Sequence, residues 1–285
     1  MSVLLDGKAL AAKIKKEVAE KAEGRAAEGK ARPALAVILV GENPASAVYV
    51  RNKEKDCAEC GIRSVAYRLG ADYGEDKLLA LIDELNGDPA VHGILVQLPL
   101  PEGYEERRVI ERISPDKDVD AFHPVNVGRM MIGEEGFLPC TPAGIIALLD
   151  EYGIDPSGKN CVVIGRSNIV GKPMAMLLMK RNGTVTVAHS RTKDLPALTR
   201  RADILVSAVG KAGFVTPGMV KPNAVIVDVG MNRNAEGKLC GDVDFVRCAP
   251  LASYITPVPG GVGPMTRAIL MKNTLYAAEL ADRIG

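Results

Sequence analysis

The stretch that most constrains this chain is residues 161–173, CVVIGRSNIVGKP, which predicts a buried strand, a glycine turn and a helix in immediate succession. Strand-forming residues 161–164 lead into a turn that opens on Gly165, and residues 173–182 are compatible with a helix. Such a unit directs the N–H groups of a helix N-terminus at an anion. Gly165 and Gly171 have no glycine between them, unlike the usual dinucleotide fingerprint. On this turn alone, a plain tight turn is an equally good interpretation.

The residues after this helix favour a nicotinamide dinucleotide with a 2′-phosphate. Thr184–Ala188 alternates like a strand, and Ser190 and Arg191 follow its end with no carboxylate before Asp194. An NAD site places an acidic residue there for the ribose hydroxyl, whereas an NADP site presents positive charge and hydroxyls. With Arg166 in the first turn, the pattern predicts NADP. The alternative interpretation is that the two arginines are ordinary solvent-exposed surface residues.

Composition excludes several classes of protein. A net charge of +1 gives no field to attract nucleic acid or an anionic membrane. No apolar run approaches the roughly 18 residues of a membrane span, and the N-terminus has the pattern of an amphipathic helix, not of a signal peptide. Six cysteines in 285 residues are too sparse for a disulfide framework, so a cytoplasmic location is expected.

The hydrophobic pattern predicts an α/β protein with two lobes around a cleft. Strands alternate with helices over the first hundred residues, which indicates a parallel sheet. The predicted elements there are helix 6–23, strand 34–40, helix 46–61, strand 64–68, helix 76–86 and strand 92–98. Residues 115–140 are predicted to be connecting loops because they are rich in Pro, Gly and Asp.

The second lobe is predicted to be a Rossmann-type unit. Its elements are a linking helix at 142–152, strands at 161–164, 184–188, 204–208, 224–229 and 253–255, and a long linking helix at 265–282. The loop 257–264, PVPGGVGP, is the densest in glycine and proline. Ligands are expected at the carboxyl ends of the strands and in the cleft.

Three polar residues of the helix at 46–61 suggest proton transfer. Ser46, Tyr49 and Lys53 lie at i, i+3 and i+7, which places them within about 60° on one helix face. The lysine could act at neutral pH only if burial or neighbours lowered its pKa. On spacing alone, an amphipathic helix with a lysine that reaches to solvent is the favoured alternative.

Further polar residues lie where the loops at the carboxyl ends of the strands should converge. Gln97 interrupts an apolar run, and a polar residue near a buried strand end needs a partner. Asp118 and Asp120 follow in PDKDVD. One of them is expected to order a turn, and the other could hold a heterocycle rich in N–H groups.

In their order and spacing, seven motifs resemble the bifunctional methylenetetrahydrofolate dehydrogenase/methenyltetrahydrofolate cyclohydrolase (FolD) family from end to end. They are VGENPASAVYVRNKEK (40–55), GILVQLPLP (93–101), PDKDVDAFHPVNVGR (115–129), PCTPAG (139–144), VIGRSNIVGKP (163–173), DVG (228–230) and TPVPGGVGPMT (256–266). The resemblance implies NADP-dependent oxidation of 5,10-methylenetetrahydrofolate, then hydrolysis to 10-formyltetrahydrofolate, in one-carbon metabolism and purine biosynthesis. It also implies a homodimer.

The resemblance divides the chain into a folate-binding domain, 1–121 with helix 266–285, and an NADP-binding domain, 140–265. It makes Lys53 the acid/base of hydrolysis, Tyr49 the residue that stacks on the folate, Gln97 the partner of Lys53, and Asp120 the residue that holds the pterin. Further implied substrate contacts are Ser46, Leu98, Pro99, Pro259, Gly260 and Gly261. Implied cofactor contacts are Gly165, Arg166, Ser167, Ser190 and Met231, to which the strand-end position adds Arg191.

One residue departs from the family pattern, which usually has glycine at the position of Ala121. If the backbone there has positive φ, Ala121 would strain the loop and could shift Asp120. Two rival functions stay open: a monofunctional dehydrogenase, with NAD as an alternative cofactor, and a folate- or nucleotide-binding module without turnover. Lys53 argues against both rivals, and the arginines argue against NAD.

Metal and thiol chemistry are not expected. Cys57 and Cys60 form a C-x-x-C pair, but no second pair completes a zinc site, and the pair lies late in a helix. The histidines lack ligand spacing to one another.

Overall fold

The structure, a computed structural model, describes residues 2–284, except for the side chains of Ala45 and Ile284. Met1 and Gly285, which belong to the predicted ranges 1–121 and 266–285, lie outside the described residues. In chain order the elements are β1 (Val3–Leu4), α1 (Gly7–Ala27), β2 (Ala34–Val40), α2 (Pro44–Glu59), β3 (Arg63–Leu69), α3 (Glu75–Gly87), β4 (Gly93–Val96), α4 (Glu106–Arg112), α5 (Pro124–Ile132), α6 (Cys140–Glu151), β5 (Asn160–Ile164), α7 (Gly171–Lys180), β6 (Thr184–Ala188), α8 (Leu195–Thr199), β7 (Ile204–Ser207), β8 (Val225–Asp228), β9 (Asn232–Arg233), β10 (Leu239–Cys240), α9 (Phe245–Cys248), β11 (Tyr254–Ile255) and α10 (Val262–Ile284).

The chain forms two compact units, named here by their main sheets. Among the described residues, the six-stranded unit consists of 2–11 and 139–266, and the three-stranded unit of 12–138 and 267–284. Two of the three boundaries between the units fall inside the long helices α1 and α10, and the third lies just before α6. At the N-terminus, β1 pairs with β11, so the first residues of the chain group with the six-stranded sheet.

All strands of the two main sheets are parallel, as the alternating pattern predicted. The orders are β1-β11-β8-β7-β5-β6 and β3-β2-β4. Strands β2, β4, β7 and β8 are buried over their whole length, which explains their continuous apolar sequences. In the six-stranded sheet the order reverses at β5, and a ligand crevice is expected beyond the carboxyl ends of the strands at such a point.

The prediction of loops throughout 115–140 was wrong, because α5 occupies part of this range. His123 caps the helix by accepting the N–H of Val125 on Nδ1 at 3.1 Å, and Pro124 occupies the first turn. Gly133 ends the helix in the left-handed conformation, with φ 83°. Three features favour this helix: a capping side chain, a proline in the first turn and a glycine at the end. Proline and glycine are unfavourable in the interior of a helix but common at these two positions.

Strand β4 is shorter than the predicted strand 92–98. It ends at Val96, and the peptide bond between Leu98 and Pro99 is cis. Proline has no N–H to continue a sheet ladder, so the polar Gln97 lies just past the strand, where its side chain can reach α2. No helix within residues 2–284 is long and apolar enough to cross a membrane.

Candidate active site

In the three-stranded unit, helix α2 carries the predicted stripe of polar residues. The chain leaves β2 through Gly41, with φ 81°, and the helix begins at Pro44. Ser46 is 4 % exposed, Lys53 is 8 % exposed, and Tyr49 is half-buried. Lys53 is thus not the solvent-reaching lysine of the alternative interpretation.

The predicted contact between Lys53 and Gln97 is present. Lys53 Nζ donates a hydrogen bond to Gln97 Oε1 at 3.0 Å, and Gln97 Nε2 donates to the carbonyl of Leu98 at 2.7 Å. Register explains the meeting: β2 and β4 are adjacent parallel strands, so α2, which follows β2, and Gln97, which follows β4, lie at the same sheet edge. A buried ammonium or amine is therefore held at a defined point with a polar partner.

Burial also affects Tyr49, which lies one turn before Lys53. It raises the pKa of the phenol, and the positive charge of Arg267 partly opposes the rise. The neutral phenol is thus favoured at physiological pH, and its ring presents an uncharged face beside the lysine.

Asp118 and Asp120 have different structural roles, as expected. Asp118 is 2 % exposed and orders the loop by accepting the N–H of Phe122 at 3.2 Å and of His123 at 2.8 Å, and the Nδ2 of Asn126 at 2.9 Å. Burial raises its pKa in spite of these bonds. Asp120 is half-buried, and its carboxylate has no hydrogen bond from another described residue. Its two oxygens are suited to accept N–H groups from a ligand.

Two features position the backbone around Asp120. Asn273 of α10, which sequence reasoning did not identify, donates through Nδ2 to the carbonyls of Val119 at 2.8 Å and Leu138 at 3.0 Å. Ala121, on the other side, has φ 59° and is fully buried. The condition of a positive φ is met, so this alanine occupies a conformation that costs L-residues about 1–2 kcal/mol.

A second group that sequence reasoning missed lies farther along the same face of α2. Asp56, three residues after Lys53, is 2 % exposed and pairs with Lys15 and Arg267, each at 2.8 Å. Lys15 also pairs with Glu59. The i+3 spacing from Lys53 was the signal that could have identified Asp56.

In the six-stranded unit, two glycines shape the predicted cofactor turn between β5 and α7. Gly165 has φ 123°, and a Cβ there would lie 2.4 Å from the carbonyl oxygen of Ala208. A Cβ on Gly171 would lie 2.3 Å from the carbonyl oxygen of Gly165. Ser167 Oγ accepts the N–H groups of Val170 at 3.2 Å and Gly171 at 3.3 Å. Glycine is therefore required at both ends of the turn.

The other predicted cofactor residues lie at the same sheet edge. Gly165 donates its N–H to Ala188 at the end of β6, and a turn follows in which Thr192 donates its N–H to the carbonyl of His189 at 2.9 Å. This places Ser190 and Arg191 at the exposed tip of that turn, beside the glycine turn. Arg166 and Ser167 are exposed as well. An exposed hydroxyl and two arginines beside the glycine turn between β5 and α7 fit a phosphate-bearing dinucleotide.

The glycine-rich loop after β11 packs closely within this unit. Gly260 has φ 112° and accepts the N–H of Lys8 at 2.9 Å, while a Cβ on Gly261 would lie 2.7 Å from the carbonyl oxygen of Pro257. The bond between Val258 and Pro259 is cis. Met231 Sδ is 3.7 Å from where a Cβ of Gly263 would lie. The loop and Met231 are thus neighbours at the carboxyl edge of the sheet.

The cysteine pair carries no sign of redox or metal chemistry. Cys57 and Cys60 are fully buried, and burial raises the pKa of each thiol to about 12. Such thiols are poor nucleophiles and poor ligands at neutral pH. Among residues 2–284, no cluster of three or more His, Cys, Asp or Glu side chains could hold a metal ion.

Comparison with known proteins identifies the family of both parts of the chain. Residues 5–120 match the family described as tetrahydrofolate dehydrogenase/cyclohydrolase, catalytic domain, and residues 139–282 match its NAD(P)-binding domain. The bifunctional protein FolD of a Polaromonas species is 58 % identical over 276 residues, which cover 97 % of this chain and 98 % of that protein.

Solved structures agree at the level of the whole fold. A crystal structure of the bifunctional FolD methylenetetrahydrofolate dehydrogenase/cyclohydrolase from Campylobacter jejuni has a TM-score of 0.96 at 52 % identity, covering 98 % of this chain and 99 % of that one. The FolD enzyme of Trypanosoma brucei, crystallised with NADP cofactor and an inhibitor, has a TM-score of 0.94 at 39 % identity and covers 99 % of each chain. This chain is therefore a member of the tetrahydrofolate dehydrogenase/cyclohydrolase family.

Proposed function

We propose that the protein oxidises 5,10-methylenetetrahydrofolate with NADP⁺ to 5,10-methenyltetrahydrofolate and hydrolyses that product to 10-formyltetrahydrofolate. The observation that carries this proposal is the hydrogen bond from buried Lys53, on the helix face that also presents Tyr49, to the half-buried Gln97. A pure binding module would have no need of an amine buried beside an amide acceptor. The dehydrogenase half of the proposal is supported by the family match and by the glycine turn between β5 and α7.

In the hydrolytic step, Lys53 acts as the acid/base. Water adds to the methenyl carbon, and the neutral amine of Lys53 accepts the proton that the attacking water loses. The bond from this carbon to N5 of the folate then breaks as Lys53 returns the proton to N5. The carbinol oxygen loses its own proton to solvent, which leaves the formyl group on N10. Gln97 Oε1 accepts from Nζ and so fixes the amine during both transfers. Proton transfer by a positioned group contributes about 10²–10⁴-fold in rate.

In the oxidative step, the residues orient two rings. The cofactor, when bound, accepts a hydride from the methylene carbon, and the folate nitrogens supply the electron density that assists its departure. No side chain needs to accept a proton. Tyr49 stacks on the folate and holds it in place, so the contribution of the protein is alignment.

Recognition of the pterin falls to Asp120, whose carboxylate oxygens accept the ring N–H and amino groups. Its position depends on Asn273 and Ala121, which fix the backbone on either side. Close contacts along the rest of the folate are assigned to Ser46, Leu98, Pro99, Pro259, Gly260 and Gly261.

Recognition of NADP falls to the turns at the carboxyl ends of β5, β6 and β8. Gly165, Arg166 and Ser167 approach the phosphates, and Met231 packs on the nicotinamide side. Ser190 and Arg191 bind the 2′-phosphate, since a hydroxyl and a guanidinium suit a phosphate. Residues 1–121 with 266–285 form the folate-binding domain of this proposal, and 140–265 form the NADP-binding domain. The protein acts as a cytoplasmic homodimer and supplies one-carbon units for purine biosynthesis.

The proposal is tested by assaying both activities of the purified protein. Oxidation of 5,10-methylenetetrahydrofolate is followed with NADP⁺ and with NAD⁺, and hydrolysis of methenyltetrahydrofolate is followed by its absorbance without cofactor. Turnover that is much faster with NADP⁺, together with hydrolysis, is expected. Hydrolysis without oxidation would overturn the cofactor assignment. Folate binding with neither activity would support the binding module.

The role of Arg191 is tested by Arg191→Ala. Loss of the guanidinium is expected to raise KM for NADP⁺ about tenfold or more, the effect of a charge-assisted bond to phosphate, and to leave KM for NAD⁺ nearly unchanged. Arg247→Ala, which removes an exposed arginine elsewhere in the same unit, is the control. Equal losses for NADP⁺ and NAD⁺ would remove Arg191 from the 2′-phosphate site.

A further inference from the structure

Two buried aspartates outside the assigned site lie at the carboxyl edge of the six-stranded sheet. Asp228 ends β8 and is 3 % exposed, and Asp242 follows β10 and is fully buried. Burial of two carboxylates in one unit is costly unless hydrogen bonds stabilise the charge. The hydrogen-bond partners of the two carboxylates therefore indicate their structural role.

Asp242 accepts hydrogen bonds from the segment that follows β7. Its oxygens accept the N–H groups of three consecutive residues, Val209 at 2.8 Å, Gly210 at 3.3 Å and Lys211 at 2.9 Å. Ser207 Oγ donates to Oδ2 at 3.2 Å, and Asn232 Nδ2 donates to Oδ1 at 2.9 Å. One carboxylate thus fixes the whole 207–211 segment.

Asp228 holds the turn on the other side. Its Oδ1 accepts the N–H of Gly230 at 2.9 Å and of Asp242 at 2.8 Å, and its Oδ2 accepts the N–H of Val243 at 2.8 Å. The two carboxylates are therefore linked through the backbone N–H of Asp242. We call Asp228 and Asp242 together the aspartate clasp.

Two glycines make room for the clasp. A Cβ on Gly241 would lie 1.9 Å from Asp228 Oδ2, and a Cβ on Gly230 would lie 2.3 Å from Asp242 Oδ1. Neither glycine has a positive φ, so their role here is spatial. Any larger residue at either position would displace a carboxylate.

The segments joined by the clasp both border the proposed cofactor site. Ala208, at the start of the segment fixed by Asp242, packs against the cofactor turn, since a Cβ on Gly165 would meet its carbonyl oxygen. Gly230, fixed by Asp228, directly precedes Met231, whose side chain is 49 % exposed. The clasp therefore connects the backbone beside the glycine turn to Met231, the residue assigned to the nicotinamide side.

We propose that Asp228 and Asp242 are positioning residues for NADP: the clasp holds residues 208–211 and 230–231 at the spacing that the dinucleotide requires. The inference rests on the proposed function. Neither carboxylate is assigned a contact with cofactor or folate, and neither moves a proton. An amide cannot replace Asp242, because both of its oxygens face donors, and an NH₂ group would oppose some of them.

The test uses Asp242→Asn and Gly241→Ala, which disrupt the clasp in different ways. The first removes an acceptor, and the second keeps both carboxylates but displaces that of Asp228. Each variant is expected to bind NADP⁺ about tenfold or more weakly by isothermal titration calorimetry, because each breaks buried hydrogen bonds. Amide exchange of Val209–Lys211 in the cofactor-free protein is expected to accelerate in Asp242→Asn.

The cofactor-independent hydrolysis of methenyltetrahydrofolate is the internal control. It is expected to stay within about twofold of the parent in both variants, because its proposed residues other than Pro259–Gly261 belong to the three-stranded unit. Asp244→Asn is the matched variant. Asp244 lies two residues after Asp242, but it caps α9 through the N–H of Arg247, a role that Asn fills equally well.

Two results would overturn the proposal. In one, amide exchange at 209–211 rises while the affinity for NADP⁺ stays at the parent value. In the other, NADP⁺ affinity and hydrolysis fall together in both variants, which would make the clasp a general stability element. A parent protein that binds neither NADP⁺ nor NAD⁺ would instead overturn the proposed function, and this inference with it.

Discussion

At position 121 an alanine occupies a backbone conformation that glycine adopts without steric cost. Ala121 has φ 59° and no exposed surface. Replacement by glycine would relieve about 1–2 kcal/mol of strain, but the unfolded chain would gain about 0.4–1 kcal/mol of entropy and a buried methyl worth about 0.8 kcal/mol would be lost. These contributions nearly cancel.

We therefore expect Ala121→Gly to change the free energy of unfolding by less than about 1 kcal/mol, and Ala121→Val to lower it by more than about 2 kcal/mol. Valine is β-branched and cannot adopt positive φ easily, and two more carbon atoms at this fully buried position would overpack it. Urea unfolding of both variants measures the difference. A valine variant as stable as the parent would show that the loop relaxes freely, and the constraint on Asp120 would then be absent.

Because the pKa of Asp228 is shifted by folding, the free energy of unfolding should depend on pH in a definite direction. Burial raises its pKa to about 6, and the charge of the facing Asp242 adds to the rise, while the N–H groups of Val243, Asp242 and Gly230 oppose it. An unfolded aspartate has a pKa near 4. The folded state thus binds the proton more tightly, so the contribution of Asp228 is largest below about pH 4 and falls as the pH rises through about 6.

Between pH 4 and pH 7, the free energy of unfolding of the parent protein is expected to fall by about 2 kcal/mol relative to that of Asp228→Asn. Urea unfolding of parent and variant at each pH measures it, and the comparison cancels the other titrating groups. A difference that stays constant, or that favours the parent as the pH rises, would contradict the assigned pKa.

At the scale of elements, Asp56 joins three helices of the three-stranded unit. It lies on α2, Lys15 on α1 and Arg267 on α10, and the carboxylate is 2 % exposed. Breaking a buried ion pair by removing one partner costs about 3–5 kcal/mol, because the other charge stays buried. The cost here is expected near the lower limit, since Lys15 retains Glu59 and Arg267 is partly exposed.

Asp56→Ala is accordingly expected to lower the free energy of unfolding by about 3 kcal/mol. Glu111→Ala is the matched control, because it removes the exposed i,i+4 pair with Arg107, and it should have a far smaller effect. Chemical denaturation monitored by circular dichroism measures both. If the two variants lost similar stability, the buried cluster would not be the anchor of α2.

Elements with strong periodicity were predictable, and those fixed by single residues were not. Strands β2 and β6 have the predicted bounds, because continuous or alternating β-branched residues favour only one structure there. Helix α5 was missed, since its evidence is a cap and two end residues within a segment rich in loop formers. Strand β1 was missed because two residues carry no period, and only pairing with β11 defines it.

The same distinction holds within the site. Motifs supplied Lys53, Gln97 and the Gly165 turn, which the structure places at the carboxyl edges of the sheets. The clasp and Asn273 could not be found from sequence, because most of their partners are backbone groups far along the chain and no local spacing records them. Their roles follow only from the bonds they make.

At the scale of the whole molecule, one chain is proposed to combine a cofactor-binding unit with a unit whose lysine carries out hydrolysis. The division predicts that the two functions can be separated by mutation. Lys53 lies in the three-stranded unit, and the residues assigned to NADP lie in the six-stranded unit. A change at Lys53 should therefore stop hydrolysis without affecting the binding of NADP⁺.

The most direct measurement is the rate of methenyltetrahydrofolate hydrolysis by Lys53→Ala, with the Kd for NADP⁺ measured on the same sample. Loss of the positioned acid/base is expected to lower the rate by about 10²-fold or more, and the Kd for NADP⁺ should equal that of the parent. Hydrolysis at the parent rate, with NADP⁺ bound normally, would contradict the role of Lys53 and with it the central claim.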